Sequence, residues 1–364
     1  MKAAVLHQHN EPLVIEDLEL EPPKEKEVRV KIHATGVCHS DLHCRNGGFP
    51  VYSLPLVPGH EAAGVVEEVG PGVGRTKVGD HVIIGWIPYC GECWHCRHEE
   101  PINCPNVQTR YGVQFDGTSR LTLGGSPVFH GMDAATFAEE VVVNQNAVVP
   151  IDPDVPFEIA ALIGCAVATG VGAALNTAGL KEASRVAVIG CGGVGLSVVQ
   201  GARVSAASRI IAIDVVPAKL EAAKRFGATD LIDATQGSAS AQVMELTEGV
   251  GVDFAFEAIG THKTQQQALR MIRRGGTAVF VGVAPILEPM PITPGLMTLL
   301  GQSILGCYFG SVVPDRDFPK IIELWRSGSL DLEGLISDRG KLEDINSAFD
   351  AMEQGSVLRT VITP

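Results

Sequence analysis

Hydrophobic and polar positions follow two different patterns along the chain, with a change near residue 170. Before it, short alternating runs such as VRVKIHATG, AAGVVEEVG, DHVIIGWI and FAEEVVV are separated by Gly and Pro clusters. Such alternation is typical of half-buried strands joined by turns. We therefore expect an antiparallel β assembly with irregular inserts over roughly the first 150 residues.

Beyond that point the apolar runs are continuous: VAVIG, RIIAID, DLIDA, DFAFEAIG and TAVFVGV. Helix-like stretches such as VGLSVVQGARVSA and PAKLEAAKRFGA lie between them. Strands alternating with helices predict an α/β domain with a parallel sheet that is covered on both faces. After about residue 310, RDFPKIIELWRSGSL and LEDINSAFDAMEQGSV have a helical period, and VLRTVIT is strand-like.

Composition narrows the classes of function. The 364 residues, 45% of them hydrophobic, suffice for two domains with real cores. A formal charge of −14 without a Lys/Arg cluster disfavours a nucleic-acid partner. No signal-peptide pattern and no run of 18 apolar residues is present, so we expect a cytoplasmic protein without a membrane span. In that reducing compartment, nine cysteines favour metal binding or chemistry over disulfides.

The glycines of RVAVIGCGGVGLSVV have G-x-G-x-x-G spacing at Gly190, Gly192 and Gly195. They follow a strand-like run and open a helix-like one, the context of a dinucleotide-binding turn. Asp214 ends the next strand, where a carboxylate would bind ribose hydroxyls and repel a 2′-phosphate. The pattern predicts NAD rather than NADP, although a glycine turn in an ordinary α/β domain would look similar.

Four cysteines lie within the segment CGECWHCRHEEPINC, at Cys90, Cys93, Cys96 and Cys104. Four thiolates on a short loop fill a tetrahedral shell, which is typical of a structural zinc site. An iron–sulfur cluster or a disulfide pair are the alternatives. His95 and His98 are expected to be solvated loop residues, because four cysteines already complete the shell.

Three further segments carry scattered donors: GVCHSDLH, PGHEAAG and LIGCAVATG. Such donors meet only through folding, and two thiolates with one imidazole leave a fourth zinc position open for chemistry. A cysteine such as Cys165 in an apolar segment can equally be an ordinary core residue.

These motifs, with GCGGVG and the late VLRTVI, occur in the order found in the zinc-containing, medium-chain alcohol dehydrogenases, which the chain resembles along nearly its whole length. This family is itself the standard example of a zinc held by two cysteines and one histidine. The resemblance implies a GroES-like catalytic domain at residues 1–168 and 311–364, with a structural zinc lobe at about 88–106. It implies a Rossmann NAD-binding domain at 169–310 and a homodimer.

The resemblance also implies roles for individual residues. Ser40 would receive the substrate proton and pass it through the cofactor ribose to His43, while Asp41 orients a ligand imidazole. The catalytic zinc would be held by Cys38, His60 and Cys165, with Glu61 on its far side; Trp86 and Ser40 would line the pocket. The implied cofactor-binding residues are His39, Thr169, Gly190, Gly192, Gly193, Val194, Gly195, Asp214, Lys219, Val283 and Arg359.

The implied reaction is reversible NAD-linked oxidation of a primary alcohol to an aldehyde, by hydride transfer from a zinc alkoxide, with two zinc ions per chain. A glutathione- or mycothiol-dependent formaldehyde dehydrogenase is the alternative, because the insertion QFDGTSRLTLGGSPVFHGM follows the four-cysteine lobe. Arg110 and Arg120 are then the candidates for binding an anionic thiol. A non-catalytic NAD- or zinc-binding protein would be expected to have lost a ligand or the proton relay, and here each is present.

Overall fold

The computed structural model describes residues 1–49, 51–106 and 111–364. The strands are β1 (Lys2–Val5), β2 (Val14–Asp17), β3 (Glu19–Leu20), β4 (Glu27–Gly36), β5 (Leu56–Val57), β6 (Ala62–Val69), β7 (His81–Ile84), β8 (Leu121–Leu123), β9 (Ser126–His130), β10 (Glu140–Asn144), β11 (Val148–Ile151), β12 (Arg185–Ile189), β13 (Arg209–Asp214), β14 (Asp230–Asp233), β15 (Val252–Glu257), β16 (Ile272–Phe280), β17 (Ser303–Gly306), β18 (Ile336–Lys341) and β19 (Arg359–Thr363). The helices are α1 (His39–Arg45), α2 (Trp94–Arg97), α3 (Phe157–Leu162), α4 (Ala168–Gly172), α5 (Gly193–Val204), α6 (Pro217–Phe226), α7 (Ala239–Leu246), α8 (His262–Met271), α9 (Pro294–Leu300), α10 (Pro314–Arg326) and α11 (Ile345–Glu353).

The first of two compact units comprises Met1–Ala166, Val313–Glu323 and Leu332–Pro364. Its largest sheet has the order β11-β7-β6-β4-β19-β18, with β10 also pairing with β4. Most of its pairs are antiparallel, and the late strand β19 pairs with β4 through Val361 opposite Gly36. The C-terminal segment therefore completes a sheet that the first 150 residues begin.

Alternation along β4 explains how this sheet buries its core. Val28, Val30 and Ile32 point into one apolar cluster, whereas the intervening Arg29 and Lys31 are less buried. Because side chains of a strand alternate between its faces, this pattern fixes which face meets the core. Phe137 and Phe349 pack into the same cluster, with ring centroids 6.0 Å apart.

The second unit comprises Val167–Val312 and Leu324–Asp331. Its six strands form one parallel sheet in the order β14-β13-β12-β15-β16-β17. The order reverses between β12 and β15, which makes the carboxyl edge there the expected ligand position of a doubly wound fold. The predicted Rossmann sheet is confirmed, as are the helices α10 and α11 and the strand β19 after residue 310.

One long apolar helix, Phe157–Thr177, would be long enough to cross a membrane by length and composition, but 83% of its most apolar window is buried in the structure. Such burial is typical of a helix in a protein core. Two π-helical turns interrupt it, at Ile163–Val167 and Ala173–Thr177. Single π turns inside α-helices often mark functional positions, and the first of these contains Cys165.

Candidate metal and dinucleotide sites

The carboxylate of Asp41 organises the first candidate site. Cys38 is the N-cap residue of α1, and its backbone N–H donates to Asp41 Oδ2 at 3.3 Å. Asp41 Oδ1 accepts a hydrogen bond from the backbone N–H of Gly59 at 2.9 Å and lies 2.9 Å from His60 Nδ1. The buried Asp41 therefore holds the imidazole by one ring nitrogen and leaves Nε2 of His60 for another partner.

That other partner is a thiol that lies 105 residues further along the chain. Nε2 of His60 is 3.3 Å from Sγ of Cys165. The ligating atoms of Cys38, His60 and Cys165 all lie within 4.8 Å of one another, and all three residues are buried. Since zinc bonds to sulfur and nitrogen are about 2.0–2.3 Å long, these atoms are close enough to share one ion. The donor set thus fits a zinc ion with one position left for a further ligand.

The charges around these three donors favour a cation bound between them. A hydrogen bond from Cys165, aided by the positive charges of His60 and Arg359, holds the pKa of the Cys38 thiol well below its usual range. Burial disfavours the charged imidazole of His60, but the charges of Asp41 and Cys38 outweigh burial and raise its pKa. Anionic sulfur and carboxylate around a buried point are what a metal cation requires.

Glu61 and Arg359 form a buried ion pair in the first unit. Glu61 also lies against Gly36, where a Cβ atom would be 2.8 Å from Cδ of Glu61. A place for Glu61 on the far side of the metal stays a prediction, because its carboxylate is paired with Arg359 here. Contact of Arg359 with a pyrophosphate stays a prediction, since its guanidinium is paired with Glu61 here.

The predicted relay residues lie on α1. Ser40 is half-buried in its first turn, and His43 lies one turn later beside Phe49, with ring centroids 5.5 Å apart. Burial and the neighbouring His39, whose ring centroid is 5.2 Å away, lower the pKa of His43. His43 is therefore neutral near pH 7 and can accept a proton.

Trp86 packs against the core of the first unit and contacts the metal cluster edge-on. The ring centroids of Trp86 and His60 are 5.9 Å apart, with an interplanar angle of 79°. The indole therefore lies beside the candidate zinc site, as expected for a wall of its pocket.

The four-cysteine lobe is the second candidate metal centre. Sγ of Cys96 is 3.5 Å from Sγ of Cys93 and 3.9 Å from Sγ of Cys90. The backbone N–H of Cys90 donates to Sγ of Cys104, so the loop also supplies donors to thiolates. All nine cysteines are free, which rules out the disulfide alternative in this structure. The expectation for the two histidines is met: both lie outside the cluster, at half-buried and exposed positions.

The glycine turn forms a cradle at the N-terminus of α5. A Cβ atom on Gly195 would lie 1.8 Å from the carbonyl oxygen of Gly190, so helix and strand can approach only because residue 195 is glycine. A Cβ on Gly192 would meet no atom of the described residues within 4 Å, which leaves open space where a phosphate would bind the helix N-terminus. Gly193 and Val194 form the first turn of α5, and Thr169 lies on α4, which packs against it. These residues fit a dinucleotide.

Asp214 ends β13 next to this turn. Its Oδ2 accepts from the backbone N–H of Cys191 at 2.7 Å, and its Oδ1 accepts from Val215 and Val216 at 2.8 and 2.9 Å. The carboxylate therefore ties the glycine turn to the turn after β13. Lys219 is half-buried on α6, and Val283 is 46% exposed after β16.

Arg120 and Arg110 are the two basic residues that the sequence analysis considers for binding an anionic thiol. Arg120 is buried, and its guanidinium donates to Glu27 Oε2 at 2.8 Å, to Glu27 Oε1 at 2.6 Å and to Asp116 at 2.9 Å. The interpretation of Arg120 as a thiol-binding residue is wrong, because its guanidinium is buried and is already paired with Glu27 and Asp116. Arg110 lies outside the described residues. Cys44, Cys191 and Cys307 are buried and belong to neither cysteine cluster.

Comparison with known proteins decides the family. The alcohol dehydrogenase GroES-like domain matches residues 24–153, and the zinc-binding dehydrogenase domain matches residues 193–327. A class-3 alcohol dehydrogenase of Drosophila melanogaster is 41% identical over 368 residues, covering 99% of this chain and 97% of that protein. The chain belongs to the zinc-dependent alcohol dehydrogenases.

Solved structures of this dehydrogenase family share the fold. An alcohol dehydrogenase zinc-binding domain protein from Burkholderia ambifaria and benzyl alcohol dehydrogenase from Acinetobacter calcoaceticus are each 32% identical to it, with TM-scores of 0.94. Each alignment covers 100% of this chain and 98% of the other. The resemblance, the fold class and the oxidoreductase activity on small molecules are thereby confirmed.

Proposed function

We propose that this alcohol dehydrogenase oxidises primary alcohols to aldehydes with NAD and a zinc ion bound by Cys38, His60 and Cys165. The observation that carries the proposal is the buried convergence of these three donors in front of Asp41. When bound, zinc lowers the pKa of an alcohol hydroxyl and NAD takes up the hydride.

The chain's own residues have separate tasks in this proposal. Asp41 fixes the orientation of the His60 ring through Nδ1. Ser40 takes the proton of the substrate hydroxyl as it gives up its own, and the neutral imidazole of His43 accepts the relayed proton and releases it to solvent. We assign these tasks to the predicted catalytic domain at residues 1–168 and 311–364, and dinucleotide binding to the predicted domain at 169–310.

A spectrophotometric screen of NAD reduction tests the function. It compares short, long and aromatic primary alcohols with secondary alcohols, and includes formaldehyde with glutathione or mycothiol. We expect primary alcohols to be oxidised fastest, and benzyl alcohol to be accepted, since a similar protein is a benzyl alcohol dehydrogenase. Activity restricted to formaldehyde with a thiol would favour the thiol-dependent alternative, which similarity to a class-3 alcohol dehydrogenase keeps as the second candidate.

NAD is the proposed cofactor because Asp214 places a carboxylate next to the glycine turn. Asp214→Gly should reduce the preference for NAD over NADP about tenfold, because it removes the carboxylate that would repel a 2′-phosphate. It should also loosen the two turns that Asp214 holds, since each hydrogen bond to the carboxylate contributes to stability. Kinetics with NAD and NADP measure this preference. A wild-type protein that prefers NADP would contradict the proposal.

Two zinc ions per chain are proposed, one in the buried set and one in the four-cysteine lobe. Metal analysis of the purified protein should give a ratio near two. Iron in place of zinc would give a coloured protein and restore the iron–sulfur alternative for the lobe.

A homodimer is proposed from the edge of the second unit's sheet. β17 is an edge strand and is largely exposed, and apolar side chains in the segment that precedes it in the sequence are exposed as well: Ile286, Leu287, Ile292, Leu296 and Leu299. An unpaired edge strand of this kind can pair with its copy across a two-fold axis. Light scattering should give a dimer, and a tetramer would count against it. The nine free cysteines support a cytoplasmic location.

A further inference from the structure

Glu257 is a buried acid for which the sequence analysis found no role. It ends β15, and its side chain is wholly buried. Its Oε1 accepts hydrogen bonds from the backbone N–H groups of Ile259 at 2.9 Å and Gly260 at 2.8 Å, and from the hydroxyl of Thr264 at 2.7 Å. Among the described residues, Oε2 has no hydrogen-bond partner. An incompletely paired buried carboxylate is costly, so its presence calls for an explanation.

The turn that Glu257 holds, residues 258–261, lies between two others. On one side is the glycine turn after β12, where a Cβ on Gly190 would be 2.6 Å from Cγ1 of Ile259. On the other side is the segment after β16, where a Cβ on Gly260 would be 2.5 Å from the carbonyl oxygen of Val283. Strand order explains this arrangement, because β15 lies between β12 and β16 in the sheet.

The main chain of Glu257 is hydrogen-bonded to the segment after β16. Its carbonyl oxygen accepts hydrogen bonds from the N–H groups of Val281 and Gly282, both at 2.8 Å. Side chain and main chain of one residue thus fix the turn after β15 and the segment after β16. Any movement of Glu257 would shift both relative to the glycine turn.

These turns present apolar side chains at the carboxyl edge of the sheet. Ile259 and Val283 are each 46% exposed, although they are aliphatic. The edge where strand order reverses is where ligands bind in this class of fold. Exposed aliphatic groups beside a phosphate-binding turn are suited to contact the apolar faces of a dinucleotide.

Asp233, a strand-end acid on an outer strand, provides a contrast to Glu257. Asp233 ends β14, and its Oδ1 accepts hydrogen bonds from Thr235 alone, through the backbone N–H at 2.9 Å and the hydroxyl at 2.6 Å. It is only half-buried and lies on an outer strand. Asp233 holds its own turn, whereas Glu257 holds a turn that contacts the glycine cradle.

We propose that Glu257 is a positioning residue for the dinucleotide: its buried carboxylate fixes the turn 258–261 so that Ile259 and Val283 offer an apolar surface to the cofactor beside the Gly190 turn. The inference rests on the proposed use of NAD. Glu257 itself touches no reacting atom, so its effect is on cofactor binding and not on the chemical step.

Equilibrium binding of NADH, measured by fluorescence titration of the purified holoenzyme, tests this role. Glu257→Ala should raise the Kd about tenfold, since hydrogen bonds to a charged group are among the stronger ones. Glu257→Gln should stay within about twofold of wild type, because its amide oxygen can accept the same three hydrogen bonds. The matched control, Asp233→Ala, should bind NADH like wild type.

Steady-state kinetics and the variant Ile259→Ser distinguish a positioning role of Glu257 from a general loss of folding. Glu257→Ala should raise KM for NAD and leave kcat within about twofold, which a general disruption of the site would not do. Ile259→Ser alters an exposed side chain and should weaken NADH binding with an unchanged melting temperature.

Three outcomes would overturn the inference. The first is wild-type NADH affinity in Glu257→Ala, the second is wild-type affinity in Ile259→Ser, and the third is a loss in Glu257→Gln as large as that in Glu257→Ala. A wild-type protein that binds no NADH would instead overturn the proposed function, and this inference with it.

Discussion

The two metal clusters of the first unit are built from similar donors in opposite ways. The four cysteines of the lobe lie within fifteen residues, three of them are only half-buried, and neighbouring Trp94 is 57% exposed. The other set joins His60 to a cysteine 105 residues away, and each of its members is buried. A lobe of local sequence can close around its own ion, whereas the buried set forms only when the whole unit has folded.

The donor atoms of the two sets also differ. Four thiolates complete a tetrahedral shell, while two thiolates and an imidazole leave one position for a ligand. A carboxylate behind the ring supports only the buried set, through Asp41. We therefore expect the lobe to contribute to stability and the buried set to contribute to chemistry.

The largest expected effect comes from removing a ligand of the buried set. Cys165→Ser should lower turnover about a thousandfold, since charge stabilisation by a metal is worth several kcal/mol and each 1.4 kcal/mol is about tenfold. The fold should persist, with a melting temperature close to that of wild type. Cys44→Ser, which changes another buried thiol of the same unit, should keep its turnover. Full activity in Cys165→Ser would contradict a role of the buried set in catalysis.

The matching change in the lobe should act on stability. Cys93→Ser should lower the melting temperature by about 5–10 °C, because binding of a structural metal contributes directly to folding free energy. Turnover per folded molecule should remain within about twofold of wild type. His98→Ala, a substitution of an exposed neighbour that lies outside the cluster, serves as the control in the same thermal scans. Loss of turnover without loss of stability would reverse the roles assigned to the two sets.

Asp41→Asn changes a residue that bonds to His60 of the buried set and belongs to neither metal cluster. The amide can still accept from Gly59, but it removes the charge that orients the His60 ring. Zinc affinity of the buried set should fall about 10–100-fold, as is typical when the partner of a ligand histidine is changed. Competition with a chelator should then remove one zinc per chain before the other. Simultaneous loss of both ions would contradict separate sites.

A tryptophan beside each set provides the smallest effect. Trp86→Ala should raise turnover of propan-2-ol relative to propan-1-ol by about tenfold, because an apolar pocket separates such substrates by roughly 1–3 kcal/mol. The bulk of the indole next to His60 is the cause. Trp94→Ala in the lobe should leave the ratio unchanged. An unaltered ratio in Trp86→Ala would remove this residue from the pocket.

The fold could be predicted because its signals are local and periodic. Alternation in β4 and the unbroken apolar runs of the parallel strands identify the elements before any contact is known. The donor residues could also be named, since Cys38, His60 and Cys165 stand in distinctive segments. Their mutual distances could not be predicted, because folding alone brings them together.

Arg120 and Glu27 show where sequence reasoning fails. The sequence makes the Arg120 guanidinium a candidate for binding an anion, yet it is buried and paired with Glu27, 93 residues away, in addition to Asp116. No local pattern encodes such a pairing. Glu257 is the converse case: its partners lie two, three and seven residues downstream, and an acid that closes the apolar run FAF was a visible signal.

The late strand β19 has a consequence for how the protein is made. The backbone N–H of Val37, next to Cys38, donates to the carbonyl oxygen of Thr360, so the buried donors depend on a strand that leaves the ribosome last among the nineteen. At about 5–20 residues per second, β4 waits tens of seconds for this partner. The four-cysteine lobe has all of its ligands between residues 90 and 104, so it does not depend on a late strand. We expect the nascent chain to acquire its two zinc ions at different times, the lobe during translation and the buried set only after release.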